Sequence, residues 1–332
     1  MNFKPHIKKA IAHSGLLSLA ARLVPARIAI LRYHSVQDEP DRHANSIGSG
    51  IIHATDVFEK QMRIVASEFD PITLDDVLAF LNGEKPTPRR PVAITFDDGY
   101  VDNLEIAVPI LGRFGIRASF YVTVEPVENG RPPWFCRLRH AFGTTRRRTW
   151  HDSTESRVHN IVEAADRKSA FLVASGRCAR HAGEAQDQTL STIEKELEVE
   201  PLTEKLMMTW DQVRTLQRSG HIVGSHTLTH PNMACMGLKD LHKECVQSKN
   251  TLERELGVPV HHFSYPSPIL QPHWNKQTME ITATAGYRSS VTSTAGPVRK
   301  GDHPLSLRRV VVPSDIEEFV WLLESTLLGR RM

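Results

Sequence analysis

Short runs of β-branched and apolar residues alternate with helix-patterned stretches along most of this chain, and that alternation constrains the fold more than any other feature. It starts at residues 27–34, RIAILRYH, read as a buried strand. Asp56 and Glu59 stand at cap spacing and predict a helix from about Asp56; a second helix begins near Thr73 and stops at Gly83. PVAITFDDG, residues 91–99, reads as a strand running into a tight turn at Gly99. A helix to about Gly115 and a strand at 117–124 (RASFYVTV) follow. Thr209 and Gln212 form a capping box for a helix stopped by Gly220, and 221–226 (HIVGSH) is again a strand. The spacing then predicts a helix over 238–256 closed by Gly257, a strand over 260–265, a helix to Ala285 and a strand at 287–291. A last helix is capped by Ser314 and Glu317. Repeated β-then-α units of this size imply an α/β class fold that closes into a (β/α) barrel, with reactive groups gathered at the C-terminal ends of the strands.

Two stretches break the rhythm. Residues 1–26 read as an amphipathic helix. Lys8 and Lys9 precede an apolar run interrupted by His13, Ser14 and Arg22, too short and too polar to span a bilayer. Such a helix packs on the domain or lies on a membrane surface. Residues 125–208 are polar with weak helical periodicity, and predict a helical insertion in a βα loop above the site side of the barrel.

A net charge of +3 is small for 332 residues, and the cluster Arg146, Arg147 and Arg148 lacks interleaved aromatics, so a nucleic-acid partner is not expected and the cluster reads as a solvated loop. The four cysteines contain no CxxC pair, which argues against a thiolate metal cluster and for free thiols in a reducing compartment, with a single bridge left open. There is no GxGxxG and no GxxxxGK[ST], so dinucleotide and P-loop phosphoryl chemistry rank low.

Chemistry-bearing side chains stand at strand ends. Asp97 and Asp98 close the strand VAITF ahead of Gly99. Adjacent strand residues point to opposite faces, so both carboxylates reach one site only if the strand ends irregularly, which Gly99 permits. The plainer alternative makes Asp98 a helix cap. His226 and His230, four residues apart, can offer two imidazoles to one cation, although such spacing arises by chance among 17 histidines. A carboxylate at one strand end and two imidazoles at another can meet in a parallel barrel and leave open positions for water and substrate.

TFDDG (95–99) and SHTLTH (225–230) resemble the first two motifs of the polysaccharide deacetylase family, the NodB-homology domain of carbohydrate esterase family 4. TWDQVRTLQRSGHIVGSHTLTHPNM, FSYPSP and AGYRSSVTS resemble the surrounding segments, and LRYHSV resembles the start of exopolysaccharide-type members. The resemblance covers roughly residues 27–312 apart from the insertion. It implies an incomplete barrel of about seven strands, and removal of acetyl groups from a glycan, foremost N-acetyl groups of N-acetylglucosamine units. It also implies a divalent metal, usually zinc, held by Asp98, His226 and His230, with Asp97 as general base.

Two departures accompany the likeness. Ser264 stands where the family often has an arginine, so a partner for Asp97 must come from elsewhere, with Arg308 and Arg309 as candidates. Among Pro266, Ser267 and Pro268 only Ser267 has an N–H, which makes its backbone the candidate oxyanion donor. No late histidine stands out as general acid. His34 ends the first strand, which neighbours the last in a closed barrel, and takes that role as an expectation against a packed core histidine. Trp134 and Phe135 either stack on sugar or seat the insertion on the barrel. The rival readings are a catalytically weak, metal-containing carbohydrate binder and a sugar O-acetyl esterase. The expected location is cytoplasmic, with peripheral membrane contact through the first helix and export both left open.

Overall fold

The computed structural model describes residues 26–86 and 88–329. The predicted helix over residues 1–26 falls almost wholly outside them. Seven parallel strands form a closed barrel: β1 (Arg27–Tyr33), β2 (Pro91–Phe96), β3 (Ser119–Val122), β4 (Ile222–Ser225), β5 (His262–Ser264), β6 (Ser289–Ala295) and β7 (Leu307–Val311). Each pairs with the next in sequence, and β1 closes the ring against both β2 and β7.

The wall is mostly buried sequence because both faces are covered. Ala29, Leu31 and Tyr33 of β1 turn outward into the main helix–sheet core, which includes Phe58, Val65 and Phe319. Ile28 and Ile30 turn inward and pack with Ala93, Tyr121, Val291 and Leu307. Parallel strands covered on both faces carry such near-continuous apolar runs. Gly224 of β4 illustrates how tight the interior is, since a Cβ there would lie 2.6 Å from the Tyr121 ring and 2.9 Å from the His262 carbonyl oxygen.

The N-terminal end of the barrel is wedged. A short strand, Asp70–Ile72, pairs with the first half of β2, while Val298–Arg299 pairs antiparallel with the start of β1. Leu74 and Val77 of helix Leu74–Leu81 complete the interior cluster from below. His262 points down into this floor, between Ser289 Oγ at 2.8 Å and Asp75 Oδ1 at 3.2 Å. The opposite, C-terminal mouth is where the barrel is free to hold a site.

Most caps fall where the pattern puts them. Thr73–Asp76 and Thr209–Gln212 are both reciprocal capping boxes, and Gly257 ends Leu238–Leu256 in the left-handed conformation. Two expectations are corrected. Asp56 does not cap the helix Thr55–Glu68. It sits in the first turn and pairs with Lys60 at 2.8 Å, while Ala54 takes the cap position without a side-chain bond. The last helix, Ile316–Leu327, is capped by Asp315, which accepts the Glu318 N–H at 2.8 Å, one residue beyond the predicted Ser314 and Glu317 pair.

The insertion is helical in the main, through Trp134–Thr144, Ala164–Ala179 and Gly183–Glu196, but includes an antiparallel hairpin of Thr149–Asp152 with Arg157–Asn160. That polar hairpin has few residues to show a period of two, which hid it in the sequence. The insertion owns a core around Trp150, Leu138 and Leu190, joined by Ile47, Ile52 and Tyr100 from neighbouring barrel loops. Trp134 and Phe135 seat it: both are buried, the indole N–H donates to the His230 carbonyl at 3.0 Å, and the Phe135 ring lies 4.6 Å from the His230 ring. All four cysteines are free. Among the described residues no helix is long and apolar enough to cross a membrane.

Candidate active site

Asp97 follows β2 and still belongs to the sheet, since its N–H donates to the Tyr33 carbonyl at 3.1 Å. The chain then turns through two left-handed residues, Asp98 (φ 75°) and Gly99 (φ 91°). A non-glycine residue there is strained by about 1 kcal/mol or more, and such strain concentrates at functional sites. Its effect is to keep both carboxylates in the barrel mouth, the irregular ending the sequence requires. Asp98 is no helix cap. Its Oδ1 lies 3.5 Å from His226 Nε2 and 3.6 Å from His230 Nε2.

The histidine loop is built by polar contacts rather than by a helix. Thr227 (φ 69°) and His230 (φ 59°) are also left-handed. The Ser225 hydroxyl accepts the Thr227 N–H at 3.2 Å, and the Thr227 hydroxyl accepts the His230 N–H at 3.0 Å. From helix Leu238–Leu256, the buried Glu244 carboxylate accepts the N–H groups of Leu228 (2.8 Å) and Thr229 (3.0 Å) and the Thr229 hydroxyl (2.8 Å). His226 Nδ1 donates to the Ser264 carbonyl at 2.8 Å, which orients the ring so that its Nε2 faces Asp98.

Asp98, His226 and His230 are all buried and bring one donor atom each within 4.8 Å of one another. Asp98 Oδ1 is buried with no hydrogen-bond partner. A carboxylate oxygen held dry in this way is costly unless a cation or donor meets it. Burial, and next the proximity of His226, lowers the His230 pKa to about 3, so its imidazole is neutral, the form a metal requires. Two imidazoles and one carboxylate around a common point are the donor set of a zinc site with open positions. The residues fit a divalent cation.

Arg309 of β7 supplies the partner for Asp97. Its guanidinium grips the carboxylate in bidentate fashion, Nη1 to Oδ1 at 2.7 Å and Nη2 to Oδ2 at 2.6 Å. It also donates to the Ser264 hydroxyl (3.0 Å), the Thr95 hydroxyl (3.2 Å) and the Thr292 carbonyl (3.0 Å). Ser264, at the position where an arginine was expected, thus helps hold an arginine that arrives from another strand. Burial by itself would raise the Asp97 pKa, but Arg309 and then His226 hold it far below the usual carboxylate range.

His34 follows β1 beside Asp97, half-buried, with its carbonyl accepting the Asn103 side-chain N–H at 2.7 Å. Burial lowers its pKa to about 4 against the pull of Asp98 and Asp97. The Ser267 N–H has no protein acceptor among the described residues, and Ser267 Oγ accepts Arg32 Nη1 at 3.4 Å. Sequence reasoning missed Glu244 and the Ser264 carbonyl altogether. Only long-range packing links them to the histidine loop, and no local pattern marks it.

Comparisons with known proteins bear on the fold and the family. The deacetylase PplD of Streptococcus pyogenes, solved in complex with acetate, superposes with a TM-score of 0.61 at 19% identity, covering 92% of this chain and 99% of its own. IcaB from Ammonifex degensii gives a TM-score of 0.56 at 19% identity, over 90% and 97% of the two chains. The deacetylase domain of BpsB from Bordetella bronchiseptica gives 0.54 at 18%, over 87% and 98%. At these identities the likeness speaks for the fold. A curated relative, YxkH of Bacillus subtilis, provisionally named a polysaccharide deacetylase, is 30% identical over 99 residues, 30% of this chain, and the match spans about a third of its length. The family profile for polysaccharide deacetylase matches residues 84–290, more than half of the chain, and takes in both the aspartate pair and the histidine pair. The chain belongs to the polysaccharide deacetylase family.

Proposed function

We propose that the chain hydrolyses acetyl groups on a polysaccharide, foremost the N-acetyl groups of N-acetylglucosamine units, with a divalent cation, zinc by preference, bound to Asp98, His226 and His230. The observation that carries this reading is the convergence of those three buried donors on one point, with Asp98 Oδ1 left without a partner. A cation there would supply Lewis acidity, enough to lower the pKa of water strongly and to polarise an acetyl carbonyl.

Asp97 serves as the general base. Its depressed pKa keeps it ionised, and the Arg309 fork fixes its plane. So weak a base does not deprotonate bulk water, which matches it to a water whose acidity has already been raised. His34, with a pKa of about 4, begins neutral at pH 7 and therefore cannot start as the acid. In this reading it takes up a proton during turnover and delivers it to the departing amine nitrogen. Its place beside Asp97 on the adjoining strand end suits that relay. Ser267 N–H donates to the acyl oxygen as negative charge develops there.

The reading as a catalytically weak binder rests on a missing arginine and on the lack of an evident general acid; Arg309 answers the first ground, and the second turns on His34. A sugar ester would meet the same groups, and separates from the amide by assay alone. Acetate release from N-acetylated chito-oligosaccharides and from O-acetylated sugars, measured with and without added zinc, tests the proposal. Metal analysis of wild type and Asp98→Ala accompanies it. About one ion per chain in wild type, none in the variant, and metal-dependent release from the amide substrate are expected. Sugar binding with no acetate released would refute the enzymatic reading.

A further inference from the structure

Two arginines reach into the barrel mouth, and only one has a carboxylate. Arg32 precedes Tyr33 on β1, opposite Thr95 of β2 and Val311 of β7. It shares the inward face with Ile28 and Ile30, so its side chain rises from the barrel interior towards the mouth. Its Nη1 donates to Ser267 Oγ at 3.4 Å across the barrel, while its Nε is buried without a partner. Among the described residues no carboxylate forms an ion pair with it. The two nearest in the site are engaged: both Asp97 oxygens accept from Arg309, and Asp98 Oδ1 faces the two imidazoles. Burial, and then Arg309, lowers the Arg32 pKa to about 10, against Asp97 and Asp98, which raise it; the group remains a cation at neutral pH and feels both carboxylates.

A half-buried cation with no ion pair and a buried, unpartnered Nε is costly, and an arriving anion would offset that cost. Ser267 links it to a corner of the site whose backbone N–H has no protein acceptor among the described residues. The charge that develops at that corner belongs to the acyl group. Water oxygen adds to the carbonyl carbon, and the C=O π pair moves onto oxygen as an alkoxide. The C=O then re-forms as the C–N bond breaks; nitrogen takes the proton lost by the water, and the acid leaves as acetate. Donors aimed at that oxygen act only once charge has built up.

We propose that Arg32 is a catalytic residue, its guanidinium and the Ser267 N–H together binding the acyl oxygen as it becomes negative and then the carboxylate of the acetate product. The inference rests on the deacetylase reading above and adds to it a small-carboxylate subsite.

The test compares metal-loaded wild type with Arg32→Met, which keeps an apolar stem, and Arg32→Lys, which keeps the charge. For a neutral N-acetylated chito-oligosaccharide, Arg32→Met should lower kcat by about 10²-fold, the usual cost of one oxyanion donor, with KM changed by less than about threefold. Acetate titrated into the same proteins and followed by NMR should bind at least about tenfold more weakly to Arg32→Met, with Arg32→Lys between the two and metal content unchanged in both. Unaltered acetate affinity in both variants would overturn the proposal. So would an effect confined to KM for a uronate-containing oligomer, which would make the guanidinium a reader of sugar carboxylates. If wild type releases no acetate from any glycan, the enzymatic reading falls; the acetate titration still decides whether Arg32 binds a carboxylate.

Discussion

Replacing Arg309 by methionine should expose how much of the site depends on one ion pair. The side chain is 2% exposed, and it makes five hydrogen bonds, two of them charge-assisted contacts on Asp97 at 2.7 and 2.6 Å. Removing one member of a buried pair leaves the other charge uncompensated and costs about 3–5 kcal/mol. For a chain of 332 residues, an unfolding entropy of about 2 cal/mol/K per residue turns that into a fall in Tm of roughly 4–7 °C. The pH dependence should change sign as well. In wild type the Asp97 pKa lies below its unfolded value, so its contribution is present at neutral pH and is lost as pH falls through the unfolded and then the folded pKa. Without Arg309, burial dominates and raises the pKa above the unfolded value, so the variant should lose stability as pH rises from about 4. Adding Asp97→Asn to Arg309→Met removes the stranded charge and should recover part of the loss. Denaturant melts of the metal-free proteins between pH 4 and 8 measure all of this. An Arg309→Met protein with wild-type stability and an unaltered pH slope would mean that the pair does not hold Asp97, and the account of the base would fail.

The other expectations are smaller. His34→Asn should lower kcat by roughly 10²–10⁴-fold and remove one limb of the pH–rate profile, while a variant with unchanged turnover and profile would make His34 a packing residue. Glu244→Gln weakens the clamp on Leu228 and Thr229 N–H groups, and zinc affinity by competition titration should drop by about 10–100-fold; an unchanged affinity would show that the loop holds its own shape. Asp102 accepts hydrogen bonds from Ser35, Val36, Gln37 and Asn103, yet burial raises its pKa to about 6. A folded pKa above the unfolded one means stability that is present below about pH 4 and lost by about pH 6, on the order of 3 kcal/mol. Melts of wild type and Asp102→Asn across that window should converge at the acid end; parallel curves would refute it.

Sequence alone determined six of the seven barrel strands and most of the helices between them, because apolar runs buried on both faces and Gly or capping-box stops are local signals; it did not mark β7, the strand that carries Arg309, or the hairpin of the insertion. It also placed the strand ends where Asp97, Asp98, His226 and His230 stand, since a parallel barrel gathers such ends at one mouth. Spacing by itself could not say which of two adjacent aspartates faces the imidazoles; only the family resemblance pointed to Asp98. That choice belongs to the left-handed backbone at Asp98, which the turn against β3 stabilises. Nor could it choose between Arg308 and Arg309. The inward face of β7 is set by its register against β6, which contains an irregularity between Val291 and Ala295, so a period of two counted along the chain does not decide it. The partners that shape the site, Arg309 on Asp97, Glu244 under the histidine loop, and Arg32 against Ser267, lie 212, 15 or 16, and 235 residues apart in sequence. Hydrogen bonds and ion pairs are short-ranged contacts without periodicity, so only the closed barrel, by bringing its strand ends together, decides which side chains meet.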